Sequence, residues 1–174
     1  MKNMHGFTLI ELLVTLAVAG VLITVAVPSF KTTFQDNRQV AGINELLGTL
    51  LFARSEAITE NKSITVCASS DQESCGTNWG KGWIVYAPSG STITPLRVHS
   101  ALDSSNTLTT DSGLGSSFSF KGNGTTDSAS GSFTLCDARG AGFARSINVS
   151  ATGIVRASQT VGKALDGTTD LSCP

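Results

Sequence analysis

Residues 7–27, FTLIELLVTLAVAGVLITVAV, decide how the rest of the chain is read. Sixteen of these 21 residues are apolar, and Glu11 is the only charged one. About 20 residues at a rise of about 1.5 Å cross the hydrocarbon of a bilayer once, so the length fits a single span. A helix buried in a soluble domain seldom stays apolar on every side over such a length. A cleaved secretory signal would use Lys2 as its positive region and Ala26 before the cut, but its apolar stretch would be shorter and free of acid. A retained membrane anchor fits the block better. Glu11 still costs about 3 kcal/mol in lipid on insertion scales, so a carboxylate kept there calls for a cationic partner.

The whole chain has 174 residues, which points to about one domain. Lys and Arg number 12 and Asp and Glu 13, for a net charge of −1. Charged residues make up 14%, against about 25% in an ordinary soluble domain. Ser (22) and Thr (21) fill much of the gap. This balance excludes a generally basic nucleic-acid scaffold. An apolar fraction of 40% with 8 Phe excludes a disordered chain. Two His, one of them His5, leave little material for His-based catalysis or a His-rich metal site.

Reading toward the N-terminus, Met1 to Gly6 followed by Phe7-Thr8-Leu9-Ile10-Glu11-Leu12 resembles the class III signal of type IV pilins and type II secretion pseudopilins. That pattern is a short basic leader ending in Gly, a cut before Phe, and Glu four residues on. The resemblance implies that a prepilin peptidase cuts between Gly6 and Phe7 and methylates the new Phe7 amino group. It implies that Glu11 pairs with the Phe7 α-amino group of a neighbouring subunit during assembly, which would supply the missing cation. Pro28 stands where the family commonly has a helix-bending proline. The implied partners are prepilin peptidase, the inner-membrane assembly platform, and other major and minor pilins. The implied location is the bacterial inner membrane, single-pass with the C-terminal domain periplasmic, and then a pilus at the cell surface. No cofactor is implied.

Past Pro28 the pattern becomes amphipathic. Ile43, Leu46, Leu47, Leu50, Leu51, Ala57 and Ile58 recur at helical spacing, so the stripe is expected to lie on a sheet. The spacing predicts a helix over 7–59, bent near Pro28 and stopped at Asn61. After Asn61 the period becomes two. Strands are expected at 63–68, 82–87, 96–99, 107–110, 117–120, 132–136, 144–150 and 154–158, separated by Gly, Ser, Asn and Asp turns. The expected class is α+β: a long N-terminal transmembrane helix packed on an antiparallel β-sheet or sandwich. The expected segments are a leader over 1–6, a transmembrane and filament-core helix over 7–27, an amphipathic half-helix over 28–60 and a β-rich domain over 61–174.

Four cysteines, Cys67, Cys75, Cys136 and Cys173, lie behind the anchor and are expected outside the cytoplasm, where disulfides form. Three pairings are possible. Cys67 and Cys75 enclose a short polar loop and form the favoured local pair, leaving Cys136 for Cys173. A four-Cys zinc site is the alternative, and no C-x-x-C spacing supports it.

The segment ITVCASSDQESCGTNWGKGWIVYAPSG resembles the FimT/GspH group of minor pilins and pseudopilins through Cys67, Ser69, Cys75, Trp79, Gly82 and Trp83. The stretch FTLCDARGAGFARSINVSATGIVR is also similar to this group. Members are low-abundance subunits at or near the filament tip that help to start assembly. Some FimT-type proteins are DNA receptors for natural transformation and carry a G-R-x-R motif in their C-terminal region. Here the motif region reads Gly153-Ile154-Val155-Arg156, so its first Arg is replaced by Ile154. From residue 138 to 165 the chain carries Arg139, Arg145, Arg156 and Lys163 and no acid. These four are the candidate DNA-binding residues, since DNA affinity rests largely on phosphate neutralisation. Arg139 and Lys163 are expected in loops, free to reach phosphates. Arg145 alternates in register with Phe143, Ile147 and Val149, which suggests a strand-end position paired with a carboxylate such as Asp137. The implied function is a minor type IV pilin that binds DNA for uptake; the alternative is a GspH-like pseudopilin of type II secretion.

No G-x-S-x-G and no G-x-x-x-x-G-K occurs, so the chain is read as a non-enzyme. His99 is expected at the surface or as a cap at a strand end. Trp79, Trp83 and Tyr86 are expected in the core or in strand packing.

Overall fold

A computed structural model describes residues 7–89 and 93–174. Helix α1 spans Leu9–Glu60 and continues through Pro28. Its start is built by Thr8, whose Oγ1 accepts a hydrogen bond from the Glu11 backbone N–H at 3.3 Å. Such N-caps satisfy one of the four orphan amides of a helix N-terminus. Pro28 has no N–H to give the Thr24 carbonyl, so the ladder loses one bond there. The chain divides into two compact units, Met1–Asn37 and Arg38–Pro174. In the first, the large apolar side chains that are described are solvent-facing, from Phe7 (81% exposed) to Phe34 (62%).

In the second unit, α1 buries Gln39, Ile43, Leu46, Leu50, Ala53 and Ala57. These repeat alternately at four and three residues, the i, i+3, i+4 ridge of an amphipathic helix. Leu51 and Ile58, expected on the same stripe, are each 47% exposed. They lie one position past Leu50 and Ala57, and a helix turns about 100° per residue, which carries them off the buried face. Asn61 stops the helix in the left-handed region, at φ 49°, a conformation Asn tolerates better than most residues.

Eight strands follow: β1 Ile64–Ala68, β2 Trp83–Tyr86, β3 Pro95–His99, β4 Asn106–Thr110, β5 Ser117–Phe120, β6 Gly131–Asp137, β7 Arg145–Val149 and β8 Val155–Ala157. They form two four-stranded sheets, β3-β2-β1-β5 and β4-β6-β7-β8. Every pairing is antiparallel. Strand β1 is buried along its whole length, as a central strand covered on both faces should be. An aromatic cluster occupies the core: the Trp79 ring meets Phe133 edge-on at 4.8 Å, and Phe118 meets Phe120 at 5.5 Å. Trp79 Nε1 donates to Gly115 O at 2.9 Å, and Trp83 Nε1 to Thr49 Oγ1 at 3.3 Å. Both indole N–H groups, which burial would otherwise penalise, are therefore satisfied. Tyr86 is half-buried, with its hydroxyl 3.7 Å from Cys75 Sγ.

Candidate functional site

The N-terminal site is a short run of backbone and one carboxylate. Gly6 lies outside the described residues. Phe7 and Glu11 are both exposed, and Glu11 sits in the first turn of α1. Thr8-x-x-Glu11 is also the spacing of a helix capping box. A carboxylate in the first turn interacts favourably with the positive end of the helix dipole, and Glu11 stands in that turn. The sequence carried this signal in Thr8, three residues before the acid.

Both cysteine pairs are bonded in the structure. Cys67 on β1 joins Cys75 across a loop of eight residues' separation, and Cys136 on β6 joins Cys173, 37 residues on. The first loop is organised by Asp71. Its carboxylate accepts from the Ser74 hydroxyl, the Glu73 and Ser74 amides and the Ser69 hydroxyl. These bonds, the Ser74 hydroxyl first, hold its pKa well below the usual carboxylate range. Among the described residues, no group of three or more His, Cys, Asp and Glu is placed to hold a metal ion.

The basic C-terminal stretch is less cationic in space than along the chain. Arg139 is expected to be free, but it is tied down. Its Nε lies 3.0 Å and its Nη2 2.7 Å from Asp137 Oδ2, and its guanidinium stacks 4.3 Å above the Phe143 ring. Burial works against ionising Asp137, yet the hydrogen bonds and charge of Arg139 outweigh it and lower the pKa. Asp137 is therefore the partner of Arg139, not of Arg145. The tight turn at the end of β6 brings residues 137 and 139 together, with Arg139 N–H donating to Asp137 Oδ1 at 2.9 Å. Lys163, also expected to be free, lies 2.7 Å from Asp170 Oδ1 and donates to Thr168 O at 3.2 Å. Both neutralising acids lie just outside the window from 138 to 165. Arg156 is exposed at the middle of β8, opposite Asn148 on β7, and Arg145 is half-buried at the start of β7, opposite Leu135.

Gly153, the first residue of the motif region, is a structural position. Its φ is +77°, and a Cβ there would come within 1.8 Å of Gly124 O. That same carbonyl accepts from Arg54 Nε at 3.1 Å, which fastens α1 to the turn. His99 is not simply at the surface: its ring stacks on Trp83 at 3.9 Å, with Nε2 3.0 Å from Glu45 Oε2.

A long N-terminal helix, apolar at its start and amphipathic beyond, with two antiparallel sheets assembled on the later part, defines a subunit of the pilin and pseudopilin class. Residues 1–27 match the prokaryotic N-terminal methylation motif, and residues 42–153 match the family described as Type II transport protein GspH. The second match spans well over half of the sequence, and the chain belongs to the GspH family. Among solved structures, the type IV minor pilin FimU of Pseudomonas aeruginosa is similar at 27% identity with a TM-score of 0.57, covering 72% of this chain and 96% of FimU. The minor pseudopilin EpsH from the type II secretion system of Vibrio cholerae shares the fold at 10% identity and a TM-score of 0.54, covering 74% of this chain and 98% of EpsH. No curated protein matches the chain significantly.

Proposed function

We propose that this chain is a minor type IV pilin. In this reading a prepilin peptidase cuts between Gly6 and Phe7 and methylates Phe7. Residues 7–27 then hold the subunit in the inner membrane, with its β-rich domain in the periplasm. The assembly platform passes it into a pilus, where Glu11 meets the Phe7 amino group of a neighbour. The observation that carries this reading is the 27% identity with FimU over 72% of the chain; the 10% identity with EpsH speaks for the fold alone. The uncovered apolar surface of residues 7–34 supports it too, since such a surface needs lipid first and other helices later.

Deleting the gene and measuring piliation and protein secretion side by side tests the proposal. Fewer pili with secretion intact is the expected result. Lost secretion with normal piliation would move the chain to type II secretion, the alternative that the GspH family description favours.

DNA binding for transformation is a finer part of the same proposal, and it rests on Arg156 with Arg145. Arg156 is exposed and Arg145 half-buried, whereas Arg139 and Lys163 are neutralised by Asp137 and Asp170. Two cations give weak, sequence-independent affinity for double-stranded DNA. The slope of log K against log salt is then about −2 at most, at about −0.9 per phosphate. Gel shifts with a duplex at low salt test this. An Arg156→Ala protein is expected to bind more weakly and an Arg139→Ala protein to retain its binding; no shift in the wild type would end the DNA reading.

A further inference from the structure

Two sheets have four edges, and the edges are treated differently. The outer edge of β5 is occupied: Asp127 N–H donates to Ser119 O at 3.0 Å, and Asp127 Oδ1 accepts from Ser119 N–H at 2.7 Å. Strand β4 has the short 3-10 helix Trp79–Lys81 packed against it. Strand β3 opens on Pro95, and its pairing with β2 shifts register between Val85 and Tyr86. Proline and irregular pairing are common means of blunting a strand edge. Strand β8 carries neither a proline nor a register shift; it is three residues long with Arg156 at its centre.

The ladder between β7 and β8 fixes which groups of β8 are spare. Ser158 N–H donates to Ser146 O and Ser150 N–H to Ile154 O, and Arg156 lies opposite Asn148. In an antiparallel pair, alternate residues turn their N–H and C=O toward the partner. Residues 154, 156 and 158 therefore face β7, and Val155 and Ala157 turn both backbone groups outward. Among the described residues neither has a hydrogen-bond partner for these outward groups, and both residues are partly accessible. Beside this edge lies a cleft of about 560 Å³, walled on one side by Arg156 to Thr160 and on the other by Leu165, Asp166 and Gly167.

We propose that the free edge of β8 receives an extended segment of another protein subunit, added as a fifth antiparallel strand of the sheet, with an acidic residue opposite Arg156. Unpaired backbone N–H and C=O groups at a two-residue repeat match the backbone of a strand. The Arg156 side chain stands on the face where the middle residue of that strand would place its own, which sets the charge preference. The cleft supplies room for a few residues, and the 165–167 turn bounds it on the far side.

The probe is the peptide acetyl-Thr-Val-Glu-Val-Thr-amide, added to the full chain in detergent micelles and followed by amide hydrogen exchange. Exchange at Val155 and Ala157 is expected to slow roughly tenfold when the peptide is about ten times above its Kd. The same peptide N-methylated at both Val residues removes the two N–H groups that reach β8 and is expected to lose binding. Arg156→Glu is expected to reverse the preference, so that a peptide with Lys in place of Glu binds better than the original. Unchanged exchange, equal binding of the methylated peptide, or no reversal by Arg156→Glu would each overturn the proposal. So would a DNA duplex that slowed the same two amides, since phosphate contact with the Arg156 side chain leaves the backbone edge open.

Discussion

Gly153 and Arg139 show how differently single residues can be read from their neighbours in sequence. Gly153 belongs by sequence to a DNA-binding motif region, yet its place is set by sterics: a left-handed backbone and a carbonyl where a side chain would stand. Gly153→Ala is expected to destabilise the fold by about 2–4 kcal/mol, from the left-handed backbone cost and the displaced turn. Urea denaturation of the variant measures it, and a change below about 0.5 kcal/mol, the size of an ordinary surface substitution, would contradict the role. Arg139 lies in a stretch that reads as wholly cationic, but its partner Asp137 sits one residue before that stretch begins. The charge of a segment depends on where it is cut, and the partner is chosen by the turn. Glu11, by contrast, stands out from its sequence neighbours, because its cost in lipid demands an explanation.

At the scale of elements, the eight strands and the helix were readable from periodicity, and the strand ends differ from expectation by a residue or two. The helix stripe was readable only in part. Leu50 and Leu51 are the same residue type side by side, and composition does not say which one faces the sheets. The structure buries Leu46 and Leu50 completely and leaves Leu51 half in solvent. Leu46→Ala is accordingly expected to cost about 2–5 kcal/mol, and Leu51→Ala under about 1 kcal/mol. Parallel urea titrations of the two variants check this, and equal losses would place the buried face elsewhere. Gln39 extends the buried ridge by one further turn and is almost wholly enclosed. Its carboxamide lies near enough to Asp137 to help lower that group's pKa, but no partner meets it in hydrogen-bond geometry. A polar residue on this ridge interrupts the apolar period, which is why the stripe reads as starting at Ile43.

For the molecule as a whole, the acids outweigh the bases by only one, and their placement decides its response to pH. Asp137, Asp71, Asp103 and Asp166 all have lowered pKa values. For Asp71 and Asp166 the first cause is a neighbouring hydroxyl, Ser74 and Thr169 respectively. A carboxylate with a depressed folded pKa contributes stability that is present above the unfolded value, about 3.9, and is lost as pH falls through the folded one. Tm is therefore expected to be nearly level above about pH 5 and to fall below about pH 4. Asp137→Asn is expected to lower Tm at neutral pH and to flatten the acid decline; scanning calorimetry across pH 2–7 checks both, and a Tm rising on acidification would contradict them. The sequence by itself determined the apolar N-terminal helix, the N-terminal methylation motif, the cysteine-bearing β domain and the helix-to-sheet order. Those features depend on local chemistry: hydropathy over one span, a short motif, and periods of 3.6 and two. Only the tertiary structure decided which cations stay unneutralised, which leucines are buried and which sheet edge is open. Those outcomes depend on groups that folding brings together, across a turn, a helix face or a ladder, and distance along the chain does not encode them.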